Sequence, residues 1–296
     1  MEWPVVHIVD IIANSVIGGI EDAIVEKNSL MHLSDKPATV SKFNMEMFLI
    51  LKFLDVITVP NLSKLDLRDR LQPVRNHLYE NLQHMKALQI LYLGDASHGY
   101  TPDLFQNQFL LGLGNMKRIV HFSLHFDCFD KLLNSMSLNC SDTLRVLDIE
   151  LSKKVTDKSI EDIKKFKKLI EINIFSCGFT SEGQAKLLLG LPNLLNIYRG
   201  DFLCEALDWV DWMVTDDKTS LKIQEFFYSE SYHFHTVDQM RLVARYCPTI
   251  QKIRFMFSKE HFISFQNLNV FQNVQSLHIC GGDFYSGNIL LSLTRM

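Results

Sequence analysis

The segment 155–198 reads VTDKSIEDIKKFKKLIEINIFSCGFTSEGQAKLLLGLPNLLNIY and contains one pattern twice. Val155, Thr156 and Asp157 begin an amphipathic stretch that ends in lysines and is followed by the apolar run LIEINI. Phe179 and the residues TSEG begin a second amphipathic stretch, which is followed by LLNIY. A helical period that alternates with a short apolar run predicts a strand-and-helix unit that repeats along the chain.

The pattern L-x-x-L-x-L, with any bulky apolar residue at the L positions, extends this repeat in both directions. Copies begin at positions 62, 88, 119, 144, 169, 194, 223, 250 and 274, although the copy at 194 is incomplete because Arg199 stands at its third apolar position. Successive starts differ by 26, 31, 25, 25, 25, 29, 27 and 24. Apart from one stretched unit, these intervals are typical of leucine-rich repeats. Pro60, Pro192 and Pro248 each stand two positions before a copy. Since proline cannot continue a helix, it ends the preceding helix at the same place each time.

The repeat predicts an α/β fold, a leucine-rich-repeat solenoid. One unit cannot bury its own apolar side, so neighbouring units stack, with a parallel sheet on the concave face of a curved horseshoe and helices on the convex face. We expect an array of about nine units over residues 60–296 and a helical N-terminal cap over residues 1–59. The cap is indicated by apolar residues at helical spacing, namely Val5, Ile8, Ile12, Val16 and Ile20.

Composition disfavours several classes of partner. The formal net charge is -4, with 30 basic and 34 acidic residues, whereas proteins that grip nucleic acid are usually basic. The apolar N-terminal stretch lacks a basic region and is interrupted by His7, Asp10 and Asn14, so neither a signal peptide nor a membrane span is predicted. We therefore expect a cytoplasmic or nuclear protein that binds neither nucleic acid nor membrane.

Six cysteines are spread along the chain without a C-x-x-C motif. Even the closest two, Cys128 and Cys140, are much further apart in sequence than the cysteines of that motif. This spacing argues against a zinc knuckle and against a disulfide framework. In a reducing compartment the sequence predicts buried free thiols.

No constellation of catalytic or cofactor-binding residues stands out. His233 and His235 offer two metal ligands at strand spacing, but no third ligand is near in sequence. His121, Ser123 and His125 share one face of a predicted strand, but the sequence signals neither an orienting carboxylate nor an oxyanion hole. An exposed polar strand face is the favoured interpretation. We therefore predict no metal, no cofactor and no enzymatic activity.

Three segments resemble a named subtype of the repeat. VTDKSIEDI at 155–163, SCGFTSEGQAKLL at 176–188 and CPTIQKIRF at 247–255 are similar to the cysteine-containing leucine-rich repeats of F-box proteins, and Cys177 occupies the position of the characteristic cysteine. The resemblance implies the substrate receptor or adaptor arm of a cullin-type ubiquitin ligase. Residues 1–55 contain no convincing F-box, so docking of a Skp1- or elongin-type adaptor would fall to the cap. The alternative is a non-enzymatic repeat scaffold or regulator without a ubiquitin-ligase link.

The predicted partner is a protein, and the predicted binding surface is the concave face. Strand positions that alternate with the buried ones point outward. They give the surface Tyr92, Asp148, Glu150, Asn173, Phe175, Tyr198, Glu225, Phe227 and Arg254. Its middle is acidic with aromatic neighbours, and its last repeats are basic. Aromatic side chains are common interface anchors and charges set register, so we expect a segment with basic and apolar residues to lie across strands four to seven.

Overall fold

A computed structural model gives the structure of the chain. It describes residues 63–66, 82–93, 106–113, 116–198, 203–216, 218–229, 237–256 and 270–280. The predicted cap at residues 1–59 and the histidine pair His233 and His235 lie outside the described residues. The repeat array is therefore the part of the prediction that the structure addresses.

Nine strands form one parallel sheet in the described part of the chain. They are β1 (Lys64–Asp66), β2 (Ile90–Tyr92), β3 (His121–Ser123), β4 (Val146–Asp148), β5 (Glu171–Asn173), β6 (Asn196–Tyr198), β7 (Glu225–Ser229), β8 (Lys252–Met256) and β9 (Ser276–Cys280). Each strand pairs with the next one along the chain, in the order β1 to β9. A parallel neighbour needs a crossover connection, so the chain must return along one face of the sheet after every strand. This sequential parallel order is that of a leucine-rich-repeat solenoid, and it confirms the predicted fold.

Helices fill most of the described crossover connections. They are α1 (Gln106–Leu113), α2 (Asp130–Asn139), α3 (Ile160–Ile163), α4 (Ser181–Gly190), α5 (Leu203–Met213) and α6 (Val237–Tyr246). A 3-10 turn, Asp157–Ser159, leads directly into α3, and another 3-10 turn, Leu82–His84, precedes β2. Together the helices form the second layer of the solenoid.

The repeated leucine pattern builds the core between the two layers. The central residue of each strand is aligned with its neighbours, as in the series Leu91, Phe122, Leu147, Ile172 and Ile197. The first three of these side chains are 0% exposed, and none of the five exceeds 9%. The hydrophobic effect of burying this row stabilises each strand only when its neighbours are present.

The last described repeat departs from the pattern. Val274 and Leu277 occupy predicted core positions, but both are only half-buried. Strands β2 to β8 each lie between two others, whereas no described strand lies beyond β9. The apolar pattern therefore identifies the repeat correctly here without predicting full burial.

A left-handed residue recurs in the turn after three successive strands. Phe126, Leu151 and Ser176 have φ of 65°, 65° and 57°, and they stand one repeat length apart, like the strands that they follow. Leu151 N–H donates to the Phe175 carbonyl at 2.7 Å, and Phe126 N–H donates to the Glu150 carbonyl at 3.0 Å. The hydrogen-bond ladder therefore continues past the strand ends and aligns the turns of neighbouring repeats.

The starts of consecutive helices are joined by what we call the Asp–Thr clamp, formed by Asp130 with Thr156 and by Asp157 with Thr180. Asp130 accepts hydrogen bonds from the backbone N–H and the hydroxyl of Thr156, both at 2.8 Å. Asp157 accepts the equivalent bonds from Thr180 at 3.0 and 2.6 Å. The Thr180 hydroxyl also accepts from Gly183 N–H at 2.9 Å and so caps α4. Thr180 thus caps its own helix and also forms hydrogen bonds to the preceding repeat.

Candidate functional site

The predicted binding residues form a row across one face of the sheet. Strand pairing places Tyr92 beside Ser123, Ser123 beside Asp148, Asp148 beside Asn173, and Asn173 beside Tyr198. On the later strands, Glu225 is aligned with Lys252, and Phe227 with Arg254. Because successive strand residues point to opposite faces, this row lies opposite the buried apolar row. The structure therefore brings together the residues that the repeat pattern selected.

The row is less exposed than the sequence suggested. Asn173 is buried, with 8% of its surface exposed, and Ser123 is only 1% exposed. The other eight predicted binding residues are half-buried. Strands are about 4.8 Å apart, so large side chains on one strand cover small polar ones on the next. The expectation of an exposed polar face at Ser123 was therefore wrong.

Five polar side chains from three repeats meet in one place, which we call the polar cluster: Ser123, His125, Asp148, Glu150 and Asn173. His125 Nε2 lies 2.9 Å from Asp148 Oδ2. The Ser123 hydroxyl donates to the same oxygen at 3.3 Å. Asn173 Nδ2 donates to Glu150 Oε2 at 2.9 Å. The cluster spans the ends of β3, β4 and β5 and the turns that follow.

Register and turn geometry explain why these side chains meet. Leu124 N–H donates to the Asp148 carbonyl at 2.8 Å, which fixes the end of β3 against the end of β4. Ile149 N–H donates to the Asn173 carbonyl at 2.9 Å in the same way one repeat later. The two turns then leave their strands at equivalent points, so side chains that stand one repeat apart in the sequence become neighbours.

The polar cluster contains a carboxylate that we did not expect beside Ser123 and His125. Asp148 contacts both residues, although it lies on the next strand. Asp148 contacts His125 at Nε2, and the Ser123 hydroxyl lies 3.4 Å from this same ring nitrogen. A Ser-His-Asp relay needs the serine and the carboxylate on opposite ring nitrogens. This arrangement therefore does not activate Ser123 as a nucleophile.

The centre of the row is acidic. Burial raises the pKa of the Glu171 carboxyl, and the negative charges of Asp148 and Glu225 raise it further. Burial likewise raises the pKa of Tyr198, with a further contribution from the charge of Glu171. These effects show that several negative groups act on one another across β4 to β7.

The basic residues of the later repeats are already engaged with this acidic centre. Arg254 Nε forms an ion pair with Glu225 Oε1, and Lys252 Nζ lies 3.5 Å from the same oxygen. Glu225 is therefore neutralised from within the sheet, whereas Asp148, Glu150 and Glu171 lie further from these two cations along the row. The predicted change from acidic to basic along the face is present, and Glu225 stands at the boundary.

Three members of the polar cluster could hold a metal ion. His125, Asp148 and Glu150 each offer one ligand atom, and these atoms lie within 4.8 Å of one another. All three side chains are half-buried. The sequence did not reveal this group because its members lie in two repeats and only the strand register brings them together.

The five cysteines whose side chains the structure describes are buried or partly buried free thiols. Cys128, Cys140, Cys204 and Cys247 are buried, and Cys177 is half-buried. The Cys177 thiol donates to the Ile149 carbonyl of the preceding repeat at 3.1 Å. Burial raises the pKa of Cys177 to about 12. Cys177 therefore packs between the turns of two neighbouring repeats.

On the helical layer, α5 carries the most exposed aromatic side chain in the described part of the chain. Trp212 is 76% exposed, and Trp209, at 38%, meets it edge to face with ring centroids 5.6 Å apart. Neither residue was selected from the sequence. As for membranes, no helix among the described residues combines the length and the apolar character that a transmembrane span requires.

Comparison with solved structures finds matches at low identity. One is the crystal structure of the Rad7 and Elc1 complex in yeast, with 12% identity, a TM-score of 0.46, and coverage of 79% of this chain and 68% of that chain. Another is the leucine-rich-repeat ectodomain of a plant membrane receptor kinase from Arabidopsis thaliana in complex with CASPARIAN STRIP INTEGRITY FACTOR 2, with 11% identity, a TM-score of 0.27, and coverage of 69% and 28%. No family model matches the chain. No curated protein matches it either. The fold assignment therefore rests on the strand order and register of this chain.

Proposed function

We propose that this chain is a protein-recognition module that binds its partner on the concave face of the sheet. The observation that carries the proposal is the in-register row of acidic and aromatic side chains from β2 to β8. A rigid sheet presents these groups at fixed spacing, so an extended segment meets a series of contacts without ordering the receptor. Half-buried aromatic groups such as Tyr198 and Phe227 suit the role of anchors.

The charges of the row indicate the chemistry of the partner. Asp148, Glu150 and Glu171 form its acidic centre, and the pKa of Glu171 is raised first by burial and then by repulsion from Asp148 and Glu225. A segment with basic residues would relieve this repulsion, and apolar residues beside them would cover Tyr198 and Phe227. Electrostatic complementarity of this kind gives orientation and speed of association more than affinity.

The face is tested by substituting its aromatic residues. Tyr198→Ala and Phe227→Ala should each weaken binding of a purified partner by at least about 1 kcal/mol, roughly fivefold in Kd. Trp212→Ala is the matched control, since Trp212 is a larger and more exposed aromatic residue on the helical layer. Normal binding by both face variants together with loss of binding by Trp212→Ala would place recognition on the opposite side of the solenoid.

We further propose that the partner is a substrate and that the chain is a receptor or adaptor of a cullin-type ubiquitin ligase. The support is the resemblance of segments 155–163, 176–188 and 247–255 to the repeats of F-box receptors. In the alternative, a scaffold without a ligase link, the same face binds a partner that is not ubiquitinated. We also propose that the chain has no enzymatic activity of its own, because leucine-rich repeats of this kind mostly bind.

Binding to purified adaptors separates the two candidates. The full chain is mixed with Skp1, with an elongin-type adaptor and with a cullin, and the same measurement is made after deletion of residues 1–55. Adaptor binding that requires residues 1–55 supports the receptor. If none of the adaptors binds the full chain while a concave-face partner does, the scaffold alternative is favoured.

A further inference from the structure

We propose that His125, Asp148 and Glu150 form a binding site for a divalent transition-metal ion, and that Zn²⁺ matches it best. The ligand set is one imidazole and two carboxylates. Imidazole favours zinc, copper, iron and nickel over magnesium and calcium, and zinc accepts carboxylate oxygens beside it. The site shares Asp148 and Glu150 with the proposed partner surface, but the argument for it rests on the geometry of the polar cluster and does not require a protein partner.

The spacing of the ligand atoms is close to what the metal requires. They lie within 4.8 Å of one another, and bonds of about 2.0 Å place two ligands of a tetrahedral zinc roughly 3.3 Å apart. The farthest pair therefore needs to close by only about 1.5 Å, which rotation of half-buried side chains provides. His125 Nε2 and Asp148 Oδ2, at 2.9 Å, already face each other. A cation would bind between these two atoms.

Neighbouring side chains hold the two carboxylates in place. The Ser123 hydroxyl, which belongs to a residue that is 1% exposed, donates to Asp148 Oδ2 at 3.3 Å. The amide of Asn173, a residue that is 8% exposed, donates to Glu150 Oε2 at 2.9 Å. Asn173 is itself fixed, because its Oδ1 accepts from Phe175 N–H at 3.2 Å. Donors of this kind orient metal ligands and add to affinity.

The local charge favours a cation. Asp148 and Glu150 lie two positions apart at the end of β4, and Glu171 on β5 senses the charge of Asp148. The side-chain ammonium of the nearby Lys153 points instead to the Ser176 hydroxyl at 2.9 Å. A divalent ion at the site would relieve the repulsion within the acidic centre of the row.

Three protein ligands leave one position of a tetrahedral ion open. Structural zinc sites usually take four protein ligands, whereas an ion with three keeps a position for water or for another molecule. All three ligands are half-buried and belong to the concave-face row or the turns that follow it, so solvent reaches the site from that side. A bound ion would therefore be accessible from the concave face.

The test is a zinc titration of the full chain after treatment with a chelator. Isothermal titration calorimetry should show one ion per chain, and His125→Ala and Glu150→Gln should each weaken binding at least tenfold. His84→Ala is the matched control, because His84 is an exposed histidine in the 3-10 turn before β2, and its removal should leave the affinity unchanged. Circular dichroism establishes that each variant is folded.

A second measurement distinguishes this site from binding at cysteine. Cobalt bound to nitrogen and oxygen ligands lacks the thiolate charge-transfer absorption that cysteine ligation produces. Absence of that absorption, together with the two losses of affinity, supports the proposal. The proposal is overturned if the chain binds no zinc, if both ligand variants bind as tightly as the original chain, or if cobalt shows thiolate absorption. His125 and Glu150 lie in different turns, so one substitution that prevents folding does not imply that the other will. If only one of the two variants folds, its zinc affinity alone decides the test.

Discussion

Replacing Gly183 with alanine should change stability in opposite directions, depending on whether Asp157 is present. Gly183 is the third residue of α4, where alanine is favoured over glycine by about 1 kcal/mol of helix propensity. A Cβ added at Gly183 would, however, overlap the Asp157 carboxylate, with Asp157 Cγ only 2.6 Å away. The carboxylate would have to swing aside, and it could do so only by leaving the clamp.

The hydrogen bonds of the Asp–Thr clamp determine how much stability Gly183→Ala should cost. Asp157 accepts two hydrogen bonds from Thr180, at 3.0 and 2.6 Å, and each contributes about 1 kcal/mol net at this exposed position. Gly183→Ala alone should therefore lose about 2 kcal/mol and regain about 1 from helix propensity, for a net destabilisation of about 1 kcal/mol. In an Asp157→Ala background the overlap is absent, and the same substitution should stabilise by up to about 1 kcal/mol.

Urea denaturation of the four proteins, followed by circular dichroism, measures these differences. Leu189→Ala is the matched control, since Leu189 is an exposed residue of α4 and should give the same effect in both backgrounds. If Gly183→Ala shifts stability in the same direction with and without Asp157, the carboxylate is not what makes glycine necessary, and the reasoning fails.

The other expectations concern the core, the thiols, one carboxylate and one turn. Leu147→Asp should lower the free energy of unfolding by several kcal/mol, because an unpaired charge would be buried at a position with 0% exposure, and an unchanged thermal midpoint would contradict the core assignment. Burial raises the pKa of Cys140 to about 11 and that of Cys177 to about 12, so a thiol reagent at pH 8 should label both slowly in the native protein and rapidly in urea, as mass spectrometry would show. The pKa of Glu171 is higher in the folded state than in the unfolded state, so ionisation of Glu171 opposes folding as the pH rises above about 4.5. The stability of Glu171→Gln relative to the original chain should therefore be greater at pH 7 than at pH 4. Identical pH profiles of stability for the two proteins would refute this. Ser176→Gly should stabilise by roughly 0.5–1 kcal/mol in chemical denaturation, because glycine adopts the left-handed conformation without strain and the hydrogen bond that is lost, from Lys153, is exposed. A loss of stability in this variant would contradict the argument.

The architecture was predictable because the apolar period fixes it. Three consecutive equal intervals place Phe122, Leu147, Ile172 and Ile197 in one buried row. Any chain that stacks such units must alternate buried and outward positions. The same alternation selected the binding row, since its members are the strand neighbours of the buried residues. The periodicity of the sequence therefore predicted both the fold and the side of the sheet on which the row of outward residues lies.

The polar cluster was not predictable, since it depends on how far each turn carries a side chain. Asp148 contacts His125 from the next repeat, and Asn173 contacts Glu150 across the same sequence separation. A sequence without register information does not show that an isolated histidine has a carboxylate beside it. The burial of Asn173 also depends on the size of the side chains on the neighbouring strands, and the sequence around Asn173 does not show which side chains those are.

The Asp–Thr clamp determines which residues an added repeat needs in order to bond to both of its neighbours. Residues 156–179 begin with a threonine that bonds to the repeat before it, followed at once by Asp157, which bonds to the threonine of the repeat after it. A tandem copy of this segment would thus present a matching threonine to the original Asp157 and a matching aspartate to Thr180. Every added copy would therefore be held to both of its neighbours, because it carries the hydroxyl for one of them and the carboxylate for the other.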